Sequence, residues 1–188
     1  MTINFRPLIT LMAVALLMAA CNTKESIDPF LVGNHSVGLL NDSTQVKDLK
    51  GIFANDSIAT FENDMSFIGS VSDIRVYDTL GEHLLTLSPK EAQDSTATIS
   101  TIRIETERYK TAEGINLNST YGDLTAAYEV KKIDNLINTI VVSVKGSDAA
   151  FTIDKKELPA NMRFDMNLNI DPIQIPDQAK IKYFMIHW

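Results

Sequence analysis

The chain lacks most of the features that usually indicate a biochemical function. It contains one cysteine, Cys21, among 188 residues, which excludes a disulfide framework and the paired cysteine spacings of zinc sites. The motifs G-x-S-x-G, G-x-x-x-x-G-K-S/T, G-x-G-x-x-G and H-E-x-x-H do not occur in it. After Cys21 no apolar run approaches the roughly twenty residues of a membrane-spanning helix. We therefore predict a protein that is not an enzyme and has no cofactor and no metal site.

Basic residues are outnumbered as well. The chain has 17 Lys and Arg against 24 Asp and Glu, a formal net charge of −7. Nucleic acids and anionic lipid surfaces attract proteins through clusters of basic side chains. An acidic chain without a basic cluster in its sequence is therefore not expected to bind nucleic acid or to adhere electrostatically to a membrane.

The first twenty residues have the three parts of a secretion signal. Arg6 provides a basic start, Leu8–Leu17 is an apolar run too short for a permanent membrane span, and small residues precede Cys21. The sequence Met18-Ala19-Ala20-Cys21 resembles the lipobox of bacterial lipoproteins, with Met18 where leucine is usual. This resemblance implies that residues 1–20 are removed and that the sulfur of Cys21 is diacylated. The alternative is a secreted protein in which Cys21 is a free thiol, a liability in an oxidising compartment.

A lipid on Cys21 would place the protein in the cell envelope, because two or three acyl chains anchor a protein firmly where one is marginal. An Asp after the cysteine resembles an inner-membrane retention signal. The residue here is Asn22, which favours the outer membrane and leaves open whether the protein faces the periplasm or the cell surface. We expect residues 21–29 to be a polar tether reaching on the order of 30 Å, and residues 30–188 to form one domain near the membrane.

Two stretches of this domain share a pattern that indicates a duplication. In each, a serine suited to cap a helix (Ser43 or Ser119) precedes apolar residues at one helical face. The predicted helices, near residues 44–53 and 120–128, are 75 residues apart. The segments before them match at an offset of 77, which suggests a small insertion around Asp42. Coincidence between two ordinary capped helices is the alternative.

Strand and hairpin signals follow both predicted helices. Alternating apolar residues predict one hairpin over residues 73–87 and another over residues 140–153, and a strand that starts at Ile102 and ends near Gly114. Further strands are predicted over residues 163–171 and 180–188. The prediction is an α+β domain, an antiparallel sheet with short helices on one face. It contains two candidate β-α-β-β repeats, residues 30–92 and 99–158, plus the C-terminal strands within 163–188.

The entry to the second predicted helix resembles that of small envelope lipoproteins of the BamE and β-lactamase-inhibitor-like kind. The resemblance is carried by Gly114-Ile115-Asn116-Leu117-Asn118-Ser119-Thr120 and by Asp123-Leu124. The chain departs from that pattern because a second glycine before Ser119 is missing. The resemblance implies a non-catalytic protein that works by binding other proteins.

Candidate metal ligands are scattered. His35, His83 and His187 have no histidine or cysteine two or four residues away, so we expect surface or interface histidines. The segment Asp165–Asp171 has oxygen-bearing residues at every second position, like the start of a calcium loop, but it lacks the glycine and the glutamate that such loops require. Its apolar residues alternate with the polar ones, which predicts a half-solvated strand instead.

Four short sequences resemble the Asp-Ser/Thr-apolar acceptor of a bacterial secretory O-glycosylation system. The candidate acceptors are Ser95, in a polar join between the two repeats, and Ser43, Ser57 and Thr79. Asp and Ser are also the residues that turns and helix caps favour, so ordinary turns are the alternative.

Two functional hypotheses follow. The first is a lipid-anchored, non-catalytic module that binds another envelope protein or a small apolar ligand. The second is an envelope hydrolase that uses Asp and Glu side chains as acid and base. The only support for the hydrolase is the abundance of acidic residues, which solvated surfaces also provide.

Overall fold

The computed structural model describes residues 28–62 and 72–188. The predicted signal segment, the lipobox with Cys21, and all of the predicted tether except Asp28 and Pro29 lie outside these residues.

Strands are the main regular structure of the described chain, and they form two sheets. The smaller sheet has the order β3-β2-β1-β8 and contains β1 (Leu31–Gly33), β2 (Ser36–Val37), β3 (Leu40–Asn41) and β8 (Lys110–Thr111). The larger sheet is antiparallel throughout, in the order β4-β5-β6-β7-β12-β11-β10-β9. Its strands are β4 (Ser57–Glu62), β5 (Ser72–Tyr77), β6 (His83–Pro89), β7 (Ile99–Ile104), β9 (Val130–Asn135), β10 (Thr139–Val144), β11 (Ala149–Asp154) and β12 (Ile181–His187).

The predicted α+β class is wrong, because helices contribute little to the described chain. The first predicted helix is a 3₁₀ turn, Val46–Asp48, followed by one α-helical turn, α1 (Leu49–Ile52). The second is α2 (Tyr121–Ala127), two turns long. Three further 3₁₀ turns, Lys155–Glu157, Ala160–Met162 and Pro172–Gln174, lie between β11 and β12. The apolar face that predicted each helix covers only seven to ten residues, too few to form a helical layer.

The strand signals were more reliable than the helix signals. The predicted hairpins are confirmed as β5–β6 and β10–β11, and the last predicted strand is confirmed as β12. In β10 the side chains of Ile140, Val142 and Val144 are buried and alternate with half-buried ones, the pattern of a strand with one face on the core. The strand expected to run from Ile102 to near Gly114 is instead two separate strands, β7 and β8.

The larger sheet consists of two four-stranded meanders with matching geometry. β4 to β7 follow α1, β9 to β12 follow α2, and the two sets join where β7 pairs with β12. Arg103 pairs with Met185 at this join, with Ile104 opposite Phe184 and Ile102 opposite Ile186. This register is symmetric about the Arg103–Met185 pair. If each residue is replaced by the one 82 positions away in the chain, the Ile104–Phe184 pair becomes the Ile102–Ile186 pair.

The backbone hydrogen bonds at the two helix entries also match. The Val46 N–H donates to the Ala97 carbonyl (3.0 Å), and the Tyr121 N–H donates to the Ala179 carbonyl (2.8 Å). One residue further on, Lys47 donates to Ser95 and Gly122 donates to Asp177, both at 2.8 Å. The donors are 75 positions apart and the acceptors 82 positions apart in both pairs.

The same offset of 75 extends back to the turn before each helix, so no insertion is needed there. The hydroxyl of Thr44 accepts from the Asn41 N–H (2.9 Å), as the hydroxyl of Ser119 accepts from the Asn116 N–H (3.1 Å). Asn41 therefore corresponds to Asn116. The helix caps are Gln45 and Thr120 rather than the predicted serines. Common ancestry of the two halves stays a prediction.

The predicted β-α-β-β composition is wrong because each helix is followed by four strands rather than two. The strands that sequence reasoning missed, β4 and β9, are the two edges of the sheet. β9 reads Val130-Lys131-Lys132-Ile133-Asp134-Asn135 and has no buried residue. Edge strands are often charged, which protects them from further pairing and removes the apolar alternation that would reveal them.

The predicted strand over residues 163–171 is also wrong. Its backbone forms a bend and a turn, in which the Asp165 carboxylate accepts from the Asn167 N–H at 2.8 Å. Phe164 is 90% exposed, whereas a half-buried strand would cover its apolar face. The segment lies beside the edge strand β9, where the Asn135 side chain donates to the carbonyls of Asp165 (3.0 Å) and Leu168 (2.8 Å), but among the described residues no strand ladder pairs the two.

The largest fully buried side chains lie in the second meander. Phe151 on β11 and Phe184 on β12 are opposite each other, fully buried, with their rings stacked 4.8 Å apart between centroids. β11 is buried on both faces from Ala149 to Ile153. Asp154 ends this buried strand and Lys155 begins the 3₁₀ turn that follows it, so the packing of β11 positions both residues.

A candidate ligand-binding cleft

A cleft of about 720 Å³ opens where β11 ends. Three parts of the chain form it: the turn between β9 and β10, the segment from the end of β11 to Met166, and the start of β12. Its lining residues are Ile137, Asn138, Asp154, Lys155, Lys156, Arg163, Phe164, Met166 and Lys182. We call this the basic cleft, because it has four cationic side chains and one carboxylate in a protein that is acidic overall.

The single carboxylate of the basic cleft is already paired. Asp154 lies 3.0 Å from the Lys182 Nζ and 3.7 Å from the Lys156 Nζ, and it accepts a hydrogen bond from the Lys156 N–H at 3.1 Å. The bond from that backbone N–H, followed by the one from Lys182, holds the pKa of Asp154 below its usual value. The same contact with Asp154 raises the pKa of Lys182. Asp154 is thus a fixed anion that orients two lysines and is not available as an acid.

Two cations of the cleft have no carboxylate partner within residues 28–62 and 72–188. Lys155 is only 3% exposed, and its Nζ is buried without a hydrogen-bond partner in these residues. Its N–H donates to the Asn138 carbonyl (2.9 Å), which ties the β9–β10 turn to the end of β11. The Arg163 Nε donates to the Leu158 carbonyl (2.8 Å). That bond fixes the guanidinium plane and leaves its two terminal nitrogens for a ligand.

Apolar side chains are exposed around these cations. Phe164 is 90% exposed, Ile137 70% and Met166 54%. Single exposed apolar residues are ordinary, but a contiguous group on one cleft indicates an interaction site. The basic cleft therefore combines positive charge with an apolar surface.

The first half of the sheet has a smaller cavity near the end of β6. It measures about 190 Å³ and is lined by Val46, Thr60, Ile74, Pro89, Gln93, Asp94 and Ser95. Among the described residues that line it none is basic, and the charged one is Asp94. The cationic lining is therefore particular to the second half and is not a requirement of the fold.

The residues singled out from sequence lie elsewhere. His35 is exposed between Asp42 (3.4 Å) and Asp148 (3.3 Å), while His83 stacks on the Tyr77 ring and His187 approaches the Thr101 hydroxyl. Among the described residues, no group of three or more His, Cys, Asp or Glu side chains is placed to hold a metal ion. The strand that argued against calcium at residues 165–171 is absent, so that argument fails, and the absence of a metal site stays a prediction.

The candidate glycosylation acceptors are all exposed and well separated. Ser43 lies in the turn before the first helix, with its hydroxyl donating to the Asn41 side chain (2.6 Å). Ser57 begins the edge strand β4, Thr79 lies in the β5–β6 turn, and Ser95 lies in the loop before β7. Glycosylation at any of them stays a prediction, and Cys21 lies outside the described residues.

Sequence reasoning missed the basic cleft, although part of its signal is visible in the printed chain. The adjacent Lys155-Lys156 pair directly follows a confirmed strand, and Arg163-Phe164 comes shortly after. The alternating pattern over residues 163–171 predicts a strand for Arg163-Phe164, which hides their role in a cleft. Ile137 and Lys182 join the cleft only through the sheet order, which the sequence does not reveal.

The fold is similar to that of a solved protein of unknown role. No protein-family model matches the chain, and no curated protein matches it. The crystal structure of the uncharacterized protein yfeY from Escherichia coli is similar over 84% of this chain and 99% of that chain, with a TM-score of 0.53 at 13% sequence identity. At this identity the likeness concerns the fold alone. In the described part of the chain, no helix has the length and apolar character needed to cross a membrane.

Proposed function

We propose that the chain is a lipid-anchored protein of the bacterial cell envelope that binds another envelope component at the basic cleft without catalysing a reaction. The observation that carries the binding role is the basic cleft itself, where exposed apolar side chains lie beside Arg163 and the buried Lys155, two cations without a carboxylate partner among the described residues. Clefts of a few hundred cubic ångströms with a few placed polar groups are typical of binding sites. The envelope location is supported by the signal-like residues 1–20 and by the lipobox-like Met18–Cys21.

The chemistry of the cleft favours binding over hydrolysis. Hydrolysis by a carboxylate pair needs one acid and one base within reach of the same substrate bond. The basic cleft has only Asp154, which is held as an anion by Lys182 and Lys156. Its remaining polar groups are cations, which suit the recognition of an anion.

Site-specific photo-cross-linking tests the binding role. A photo-reactive phenylalanine analogue at position 164 of the full-length protein should give adducts in cells of the source bacterium, visible in the intact mass of the purified protein. The matched control is the same analogue at Leu80, which is 91% exposed in the β5–β6 turn. Adducts at position 164 and none at position 80 are expected. No adduct at either position, or equal adducts at both, would contradict the proposal.

The anchor is tested separately. Cys21→Ser removes the sulfur that would carry the lipid, so labelled palmitate should enter the wild-type protein and not the variant. The variant should accumulate as an uncleaved precursor or as a soluble protein. Incorporation of the label into the Ser variant would show that Cys21 is not the lipid attachment site.

A further inference from the structure

We infer that the ligand of the basic cleft is an anionic amphiphile, an apolar chain with a phosphate or carboxylate head group. This inference rests on the proposed function, since it specifies what the cleft binds. Three observations carry it: the unpaired cations, the apolar side chains beside them, and the size of the cleft.

The cations favour an anionic head group. Burial of an ammonium group without a partner is unfavourable, and an anion bound in the cleft whose wall contains Lys155 would reduce that cost by its attraction to the buried charge. The Arg163 guanidinium, oriented through the Leu158 carbonyl, presents a planar fork that matches the geometry of phosphate and carboxylate oxygens. Asp154 does not compete for either cation, because it is paired with Lys182 and Lys156.

The exposed apolar side chains favour an apolar tail on that head group. Phe164, Ile137 and Met166 share the cleft with the cations. A free inorganic anion would leave all three in water, whereas an alkyl chain would cover them and gain the hydrophobic contribution of that contact. The volume of about 720 Å³ lies within the range of small-ligand sites, of the order of 300–1,000 Å³.

Calorimetric titration with defined probes tests the inference. Dodecyl phosphate and dodecanoate, below the concentrations at which they form micelles, should each bind the wild-type protein at one site. The one that binds tighter identifies the head group. Dodecyl maltoside, with the same chain and a neutral head, should bind at least about tenfold more weakly. Inorganic phosphate, which has the head without the chain, should be weaker still.

Variants with matched controls locate the site. Arg163→Gln and Lys155→Met should each weaken dodecyl phosphate binding by about tenfold or more, because each removes a cation from the anion's position. Lys145→Gln removes a cation that pairs with Glu129 at the surface and should leave binding unchanged. Phe164→Ser should weaken binding, whereas Leu80→Ser, at an equally exposed apolar residue, should not.

The outcomes separate this inference from the proposed function. Equal binding of dodecyl maltoside, or equal binding of inorganic phosphate, overturns the anionic amphiphile and leaves a binding role for the cleft. The same holds if no probe binds while cross-links at position 164 trap a protein or a nucleic acid. Absence of both probe binding and cross-links overturns the proposed function together with the inference.

Discussion

Replacement of Lys155 by methionine should make the protein more stable and less able to bind. The side chain is 3% exposed and its Nζ has no hydrogen-bond partner within the described residues. In proteins, desolvation of such a group costs several kcal/mol after relaxation, and replacement of buried charges by apolar groups of similar volume stabilises by about 1–4 kcal/mol. Methionine keeps the packing of the lysine stem and removes the ammonium group.

The expected gain can be measured by thermal and urea unfolding. For a chain of this size, 1 kcal/mol corresponds to about 2–4 °C in melting temperature, so Lys155→Met should melt about 2–16 °C higher than the wild type. The matched control is Lys156→Met, one residue along, where the side chain is 73% exposed. That control should change the free energy of unfolding by no more than about 0.5 kcal/mol.

The ligand provides a second readout. Dodecyl phosphate should raise the melting temperature of the wild type through its preferential binding to the folded state, and it should raise that of Lys155→Met much less. The reasoning is refuted if Lys155→Met unfolds more easily than the wild type by more than about 1 kcal/mol while Lys156→Met behaves normally. Such a result would mean that the ammonium is satisfied within the folded chain and is not held ready for a ligand.

Two further predictions concern the rest of the fold. Gly38→Ala should destabilise the fold far more than Gly81→Ala. Both glycines have a positive φ, which costs an alanine about 1–2 kcal/mol. At position 38 the new Cβ would also lie 2.2 Å from the Pro29 carbonyl oxygen, whereas at position 81 it would meet no atom within 4 Å. Comparable urea midpoints for the two variants would contradict this. The Tyr128 hydroxyl donates to the Glu113 carboxylate, and this bond is the main cause of the lowered pKa of Glu113. The bond therefore stabilises the fold above about pH 4.5, and this contribution is lost as the pH falls through the lowered pKa. In Tyr128→Phe the Glu113 pKa, followed by NMR titration, should rise toward its ordinary value, and an unchanged pKa would show that the bond is not its cause.

The sequence predicted those strands whose burial follows a simple period. Ile140, Val142 and Val144 alternate because one face of β10 meets the core, and the sequence shows this directly. The same rule failed over residues 163–171, where apolar and polar residues alternate without a strand. Phe164 and Met166 are exposed there, so their alternation does not reflect burial. Periodicity alone does not make a strand, because this segment meets the edge strand β9 through hydrogen bonds of the Asn135 side chain and not through a backbone ladder.

The helices were overpredicted for a related reason. A helix cap and a short apolar face indicate where a helix begins but not how long it is. Leu49 and Leu124 are the apolar residues that the two short helices bury most deeply. The backbone around each cap is then used for pairing with a distant loop, as in the Gln45–Thr98 and Thr120–Lys180 bridges. Those bridges join residues that are more than fifty positions apart in the sequence, and local helix propensity does not depend on such distant residues.

The basic cleft could not be predicted from sequence because it exists where the two halves of the sheet differ. The connection from β6 to β7 spans residues 90–98, whereas the connection from β11 to β12 spans residues 155–180 and contains three 3₁₀ turns. The strands on either side are constrained by pairing and by the Phe151–Phe184 core, so they keep the shared geometry in both halves. The longer connection is free of those constraints and brings Lys155, Arg163 and Phe164 to the same cleft. A buried ammonium without a partner among the described residues lowers the stability of the fold, and the described lining of the cavity near β6 in the first half contains no basic residue. The anion proposed for the basic cleft would offset that cost.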